Sequence, residues 1–391
     1  MSPSLRLGAL LALACAAATP AAPPPQSAGG LLRGAPAAGF AQAGGARTFS
    51  FPADHGPHEQ YRQEWWYTSG NLEGADQQRF GFELTFFRFA LAPPAAAAPQ
   101  ASAWRAREIY MAHFAITDAA RARFRFAQKL ARGALGLAGA EGNPLHVWLE
   151  DCSLAADPED QQRWHLAARG AGYELELTLR LAAPPVLNGA NGLSVKSSAP
   201  GDASYYYSLP RVSASGTLTR DAGPPQPVSG LVWVDREWGS GALGAGQVGW
   251  DWFALQLDDG SALMFYALRD AHGGRDAHSG GTFTDAAGGA HALGHDALAI
   301  EVTRSWVSPR GDRYPGGWHL RAAALQLDLR LAPLLPDQEL SGPPRYWEGA
   351  VAVRGQRAGR ALNGRGYVEL VGYGKERQEG RATGAPSGVG R

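Results

Sequence analysis

The segment from Tyr173 to Leu181, YELELTLRL, alternates without interruption. Leu175, Leu177, Leu179 and Leu181 fall on one face, and Glu174, Glu176, Thr178 and Arg180 on the other. A period of two is that of a half-buried antiparallel strand, with one side on a core and the other in water. About 150 residues later the pattern returns at Leu325, Leu327, Leu329 and Leu331, and Ala-Pro closely follows both copies. Other segments share an approximate offset. Residues 64–88 and 249–269 each read as strand, polar turn, strand, and Asp259-Gly260 in the second is a hairpin signal. Residues 228–235 match 362–369 in order, Gly230 with Gly364, Trp233 with Tyr367 and Asp235 with Glu369. A chain with these matches is a tandem duplication of one β-rich unit, and the glycine-rich stretch 239–247 is its junction.

Helical periodicity is scarce. Residues 127–135 suit a short helix, yet Arg123 to Phe126 alternate as a strand. Many short strands bounded by turn signals predict an all-β protein built of two tandem barrels or sandwiches, since closing a sheet removes its exposed edges. The units are expected over 46–238 and 247–376, and 391 residues at 45% hydrophobic content suffice for two cores.

The N-terminus combines Arg6, a short apolar run from Leu7 to Ala18 and then small residues. That order predicts a secretory signal over 1–18, too short to span a membrane, and hence a periplasmic or secreted protein. Leu11-Ala-Leu-Ala-Cys15 also resembles a lipoprotein box, so simple cleavage and acylation of Cys15 both stay open; acylation would tether the protein to a membrane. Residues 19–45 and 377–391, rich in Ala, Pro and Gly, read as a flexible linker and tail. Cys152 is the only other cysteine and is expected to be a small buried apolar group. Formal net charge is zero, and lysine occurs only at 129, 196 and 375. No global field draws such a chain to nucleic acid or to an anionic bilayer.

Several motifs fail on context. Gly239, Gly241 and Gly244 spell G-x-G-x-x-G, but a strand follows where a dinucleotide site needs a helix N-terminus. Nucleophile-elbow and paired-cysteine signatures do not occur, and neither a metal nor another cofactor is expected. Asp54, His55 and His58 cluster in an entry loop, where a structural or substrate-positioning role is the stronger reading. The acids near the junction carry more. Along 231–238, Trp233, Asp235 and Glu237 point one way and Val234, Arg236 and Trp238 the other; Trp250 and Trp252 share a face that Asp251 opposes. Carboxyls beside large aromatic surfaces lose solvation, which moves their pKa toward the range useful in general acid chemistry. A structural ion-pair network for Asp235-Arg236-Glu237 stays equally open. Trp65, Trp66, Trp250 and Trp252 either fill the cores or line an apolar pocket.

The motifs FPADHGPHEQYRQEWWYTSGNL, FGFELTFFR, MAHFAITD, YYYSLPR, GLVWVDREWGS, GWDWFALQLDDGSALMFYALR, YWEGAVAV and GYVELVGY together resemble the AttH/CrtC family of lipocalin-like proteins, from about Phe51 to Tyr373. The resemblance implies two consecutive lipocalin-like β-domains. It also implies one of several activities: cofactor-independent hydration of an isoprenoid double bond, as in carotenoid 1,2-hydratases, or the undefined role of secreted relatives called predicted hydrolases and associated with ABC-type exporters. Hydration of an alkene needs a proton donor, aromatic faces toward the developing cation and a placed water. On that reading Asp235, Glu237, Asp251 and His55 are the candidate catalytic residues. Trp65, Trp66, Tyr67, His113, Trp238, Trp250, Trp252 and Tyr266 are the candidate ligand-binding residues. The hydratase branch carries His where this chain has Arg236, and a guanidinium is a poor proton shuttle.

Three functions follow in order of expectation. The first is a carrier for a hydrophobic small molecule or lipid beside an ABC transporter permease, with an open apolar cavity and no titrating acids in it. The second is a hydratase or hydrolase with Asp235, Glu237 or Asp251 in a closed cavity together with His55 or His113. The third is a purely structural protein with both barrels packed solid.

Overall fold

The computed structural model describes residues 38–94, 106–239, 241 and 243–374. The expected signal over 1–18, Cys15 with its tether and the tail over 377–391 lie outside the described residues. Within them the chain forms two antiparallel sheets, of 13 and 10 strands, each curled into a lipocalin-like barrel.

Both sheets are wound in the same order. In the first, Gln63–Glu73 pairs on one side with Arg79–Ala90 and on the other with the last strand of the unit, Gln226–Gly239. In the second, Gln247–Leu257 lies between Ala262–Asp270 and the last strand, Arg360–Leu370. Each sheet continues outward until its two end strands are neighbours in the chain, Arg123–Arg132 with Ala138–Gly142 and Ala290–Leu293 with Ala299–Val307. The segments matched in the sequence occupy the same places: Tyr173–Leu181 is third from the first strand in its sheet, as Leu327–Pro333 is in the other.

Alternation fills the two cores. Leu175, Leu177 and Leu179 point into the first barrel with Phe80, Phe82 and Trp164. Leu327, Leu329 and Leu331 point into the second with Phe253 and Trp318. Leu325 departs from the expected strand. It ends a 3-10 turn, Ala323–Leu325, and left-handed Gln326 (φ 49) resets the register before Leu327. The short helix expected near 127–135 is instead mostly strand, Arg123–Arg132, because the alternation begun at Arg123 pairs along its length with Glu108–Asp118. Residues 38–45, expected as the end of a flexible linker, lie on the first barrel. Ala41 N donates to Gln60 O, Ala43 is buried and Gly45 O accepts from the Tyr205 hydroxyl. Cys152 is a free, buried thiol.

A third apolar cluster lies between the barrels and includes Tyr67, Tyr206, Trp233, Trp252, Ala254, Tyr266, Ala350 and Tyr367. Polar side chains cross the same seam. Gln256 donates to Pro210 O at 2.7 Å and Val232 O at 3.1 Å, and Asn71 donates to Gly366 O at 3.1 Å. At Gly81 the two sheets nearly touch: a Cβ there would lie 2.4 Å from Ala350 Cβ and 3.0 Å from the Tyr367 hydroxyl. Gly81→Ala is therefore expected to destabilise the protein by about 1–3 kcal/mol through overpacking. In a double-mutant cycle read by urea unfolding, Gly81→Ala with Ala350→Gly should cost less than the sum of the single changes.

Candidate active site

The register of the first sheet lays its outer face out in rows. Glu237, Trp65, Phe87 and Met111 stand side by side on successive strands, then Asp235, Tyr67, Thr85 and His113, then Trp233, Ser69, Glu83 and Ala115. The second sheet answers with Leu268 beside Trp250, then Tyr266, Trp252, Glu369 and Glu348, then Met264, Ala254, Tyr367 and Ala350. Past these rows, where Gly81 lies opposite Asn71 and meets Ala350, the sheets come into contact. In the first two rows tryptophan and tyrosine hold them apart. The gap is a cavity with ≈ 970 Å³ of non-atom space, counting its open mouth.

Four carboxyls face this cavity, two from each barrel: Asp235, Glu237, Glu348 and Glu369. Asp235 accepts from Trp233 Nε1 at 2.7 Å, the Ser208 hydroxyl at 2.5 Å and the Tyr206 hydroxyl. These donors favour its ionised form, but burial outweighs them and pushes its pKa up to about 7. Glu369 also reaches about 7, because burial and the charges of Glu237 and Asp235 outweigh a 2.9 Å hydrogen bond from Trp250 Nε1. Its side chain is half-buried and open to the cavity, whereas Asp235 is only 4% exposed. Burial and the neighbouring Glu83 and Glu369 push Glu348 well above the usual carboxyl range, although the Tyr67 hydroxyl donates to it at 2.6 Å. Glu237 accepts from the Ser204 hydroxyl and pairs with Lys196 Nζ at 3.1 Å. Burial works against the Lys196 charge, but Glu237 beside it overrides that and holds its pKa above normal.

The expected site residues divide by strand parity. Asp235, Glu237, Trp65, Tyr67, Trp250, Trp252 and Tyr266 line the cavity. Asp251 does not. Trp250 and Trp252 take the cavity face, so the residue between them turns away and meets Arg269 Nε at 2.9 Å and the Tyr373 hydroxyl at 2.9 Å. His55 lies on the interior side of the first barrel. It shares a 2.6 Å hydrogen bond with the Tyr207 hydroxyl, and burial, then Arg236, lowers its pKa to about 4. Trp66 and Trp238 are on the same inner side: the Arg236 guanidinium stands 3.8 Å above the Trp66 ring, and Trp238 stacks on His58 at 3.7 Å. His113 sits behind the cavity wall, its Nδ1 2.6 Å from the Tyr346 hydroxyl, and burial lowers its pKa to about 3. Arg236 is structural. It pairs with buried Glu64 at 2.7 Å and donates to Trp65 O at 2.9 Å and His55 O at 3.2 Å, so the departure from His at this position lies outside the cavity.

Glu369, Glu348, Lys196 and Tyr206 were not among the expected site residues. The repeat carried the signal for Glu369, since it is the counterpart of Asp235. Tyr206 was readable from parity within YYYSLPR. Nothing local marked Glu348 or Lys196, whose positions depend on which faces of the two units meet.

Fold and site together define a two-barrel lipocalin-like protein whose acid-bearing cavity lies between the barrels. The chain belongs to the AttH-like family, whose model matches residues 42–373. A crystal structure of an AttH-type protein from Nitrosomonas europaea shares 33% identity at a TM-score of 0.75, over 85% of this chain and 100% of that one. Kievitone hydratase of Fusarium solani subsp. phaseoli is 25% identical over 226 residues, 56% of this chain and 62% of the relative. The dehydratase asqC of Emericella nidulans is 24% identical over 211 residues, 50% of this chain and 57% of the relative. The match thus spans less than two thirds of either curated relative.

The raised carboxyl pKa values have a definite sign in stability. Unfolded, Asp235 and Glu369 release their protons near 4; folded, they keep them to about 7. Between those values the folded state binds more protons, so stability should fall as pH rises. Urea unfolding of the wild type from pH 4 to 7.5 should show this fall, and Asp235→Asn with Glu369→Gln should flatten it.

Proposed function

We propose that the protein is an acid–base hydro-lyase, adding water to, or removing it from, an apolar substrate held between the two barrels. The observation that carries this reading is the pair of carboxyls, Asp235 and Glu369, poised at about 7 in one cavity walled by aromatic rings. Perturbed acids in an apolar pocket are the physical mark of proton-transfer sites. A hydratase and a dehydratase among the relatives support the same reaction class in its two directions.

In the hydration direction, Glu369 has the open position and the pKa of a general acid. It gives its proton to one alkene carbon, and the neighbouring carbon becomes cationic. The rings of Trp65, Trp250 and Trp252 and the nearby carboxylates face that charge, a cation–π attraction worth about 0.5–2 kcal/mol per well-placed ring. Water supplies the new C–O bond, and its surplus proton passes to Asp235 in its ionised form. One water is consumed and the cavity's proton count is unchanged; dehydration is the reverse. Lys196 is bound to Glu237 and holds that end of the cavity electrically balanced.

An exported carrier, tethered through Cys15 and working beside an ABC-type permease, is the second reading, and the apolar wall of Phe87, Phe89, Met111 and Leu268 favours it. The two are separated by incubating the protein with isoprenoid alkenes such as geranylgeraniol in oxygen-18 water and reading incorporation by mass spectrometry. The hydro-lyase should incorporate the label with a bell-shaped pH dependence near neutrality, and Glu369→Gln or Asp235→Asn should lower the rate about 10²–10⁴-fold. Unchanged ligand retained equally by wild type and both variants would instead make the protein a carrier.

A further inference from the structure

Behind the cavity, at the seam of the barrels, lies a second polar feature. The hydroxyls of Ser69, Thr85 and Tyr367, both carboxyl oxygens of Glu83, His113 Nε2 and Asn71 Oδ1 are all buried without a hydrogen bond of normal geometry, although Ser69 lies close to Tyr67 and Tyr367 close to Thr117. These are seven of the fourteen such atoms among the described residues, and they share one patch. Glu83 stands directly across from Ser69, and Thr85 directly across from His113. Asn71 is two residues beyond Ser69 on the same face, opposite Gly81, and the Tyr367 hydroxyl reaches over Gly81 from the other barrel. Thr85 is near enough to Glu83 to favour its ionised form slightly, without a hydrogen bond of normal geometry.

We propose that this patch is a binding chamber for water, with Glu83 as its anchor, and that it supplies or receives the water of the reaction; this role rests on the hydro-lyase reading. Buried polar atoms in native proteins find partners, and a cluster without protein partners marks ordered internal water. The donor and acceptor inventory suits water better than an ion. Three hydroxyls, a carboxyl, an imidazole and an amide oxygen offer both kinds of bond, and no group of three His, Cys, Asp or Glu residues that could hold a metal ion occurs among the described residues. Burial raises Glu83 well above the usual carboxyl range, so as a neutral acid it both donates and accepts. Location supplies the route. Thr85 belongs to both the chamber and the cavity wall, and its neighbour Tyr67 donates to Glu348 in the cavity.

A crystal structure at a resolution that shows water tests the chamber in the wild type. Ordered waters bonded to Glu83, Thr85 and His113 are expected; a dry patch in which these groups bond one another would overturn the proposal. Thermal unfolding of Glu83→Met gives a second reading. In a hydrated chamber the change strips the anchor and lowers Tm, whereas in a dry one it removes an unpartnered acid and raises Tm. For the role in turnover, Thr85→Val should keep affinity for geranylgeraniol within about twofold and slow oxygen-18 incorporation about tenfold or more. An unchanged rate would sever the chamber from the reaction. Waters in place with no turnover of isoprenoids by the wild type would sink the hydro-lyase reading alone; turnover with a dry patch would sink the chamber alone.

Discussion

Side-chain size along the seam between two sheets governs everything else in the molecule. Where Gly81 faces Ala350, the barrels close on each other, and where Trp65, Trp250, Trp252 and Tyr67 stand, they cannot. The cavity is the difference between these two ends of one interface. The same closure removes water from the four carboxyls that face it, and loss of solvation is the leading cause of the shifts of Asp235, Glu348 and Glu369. Protons held at neutral pH are thus a consequence of how the barrels pack.

Duplication explains why the acids come in matched places. Each barrel pairs its first strand with its last, and the cavity takes the same positions from both copies. Tyr67 stands beside Asp235 in one sheet as Trp252 stands beside Glu369 in the other. Trp65 is flanked by Phe87 as Trp250 is by Leu268. A unit that buries one acid against aromatic rings becomes, when doubled and packed face to face, a site with two. The copies have since diverged at the polar end: Glu237 with its partner Lys196 in the first barrel stands where the second has Val371, and Ser208 stands where the second has Glu348.

Much of this was legible in the chain. Alternation at Leu175 to Leu181 and the match of residues 228–235 with 362–369 carried the all-β duplicated fold. Parity alone separated Asp235 and Glu237 from Arg236 and Trp238, and it also turned Asp251 away from Trp250 and Trp252. Counting Asp251 as a site residue went against that parity. His55 was placed by its proximity in sequence to other polar groups, which says nothing about which side of a sheet a loop folds onto. Glu348 and Lys196 were hidden because their roles arise only when two sheets meet, and no pattern within one strand encodes the face of another. At Leu325 a single left-handed residue shifted a register that hydrophobic spacing could not reveal.

The protonation of the two central acids in the folded protein is the claim on which the mechanism stands, and carboxyl carbon-13 NMR reads it directly. Two resonances should titrate at about 7, and each should vanish with its own substitution, Asp235→Asn or Glu369→Gln. Midpoints near 4 for both, the ordinary carboxyl value, would mean that the cavity does not withhold water from its acids, and the hydro-lyase mechanism would fall with it.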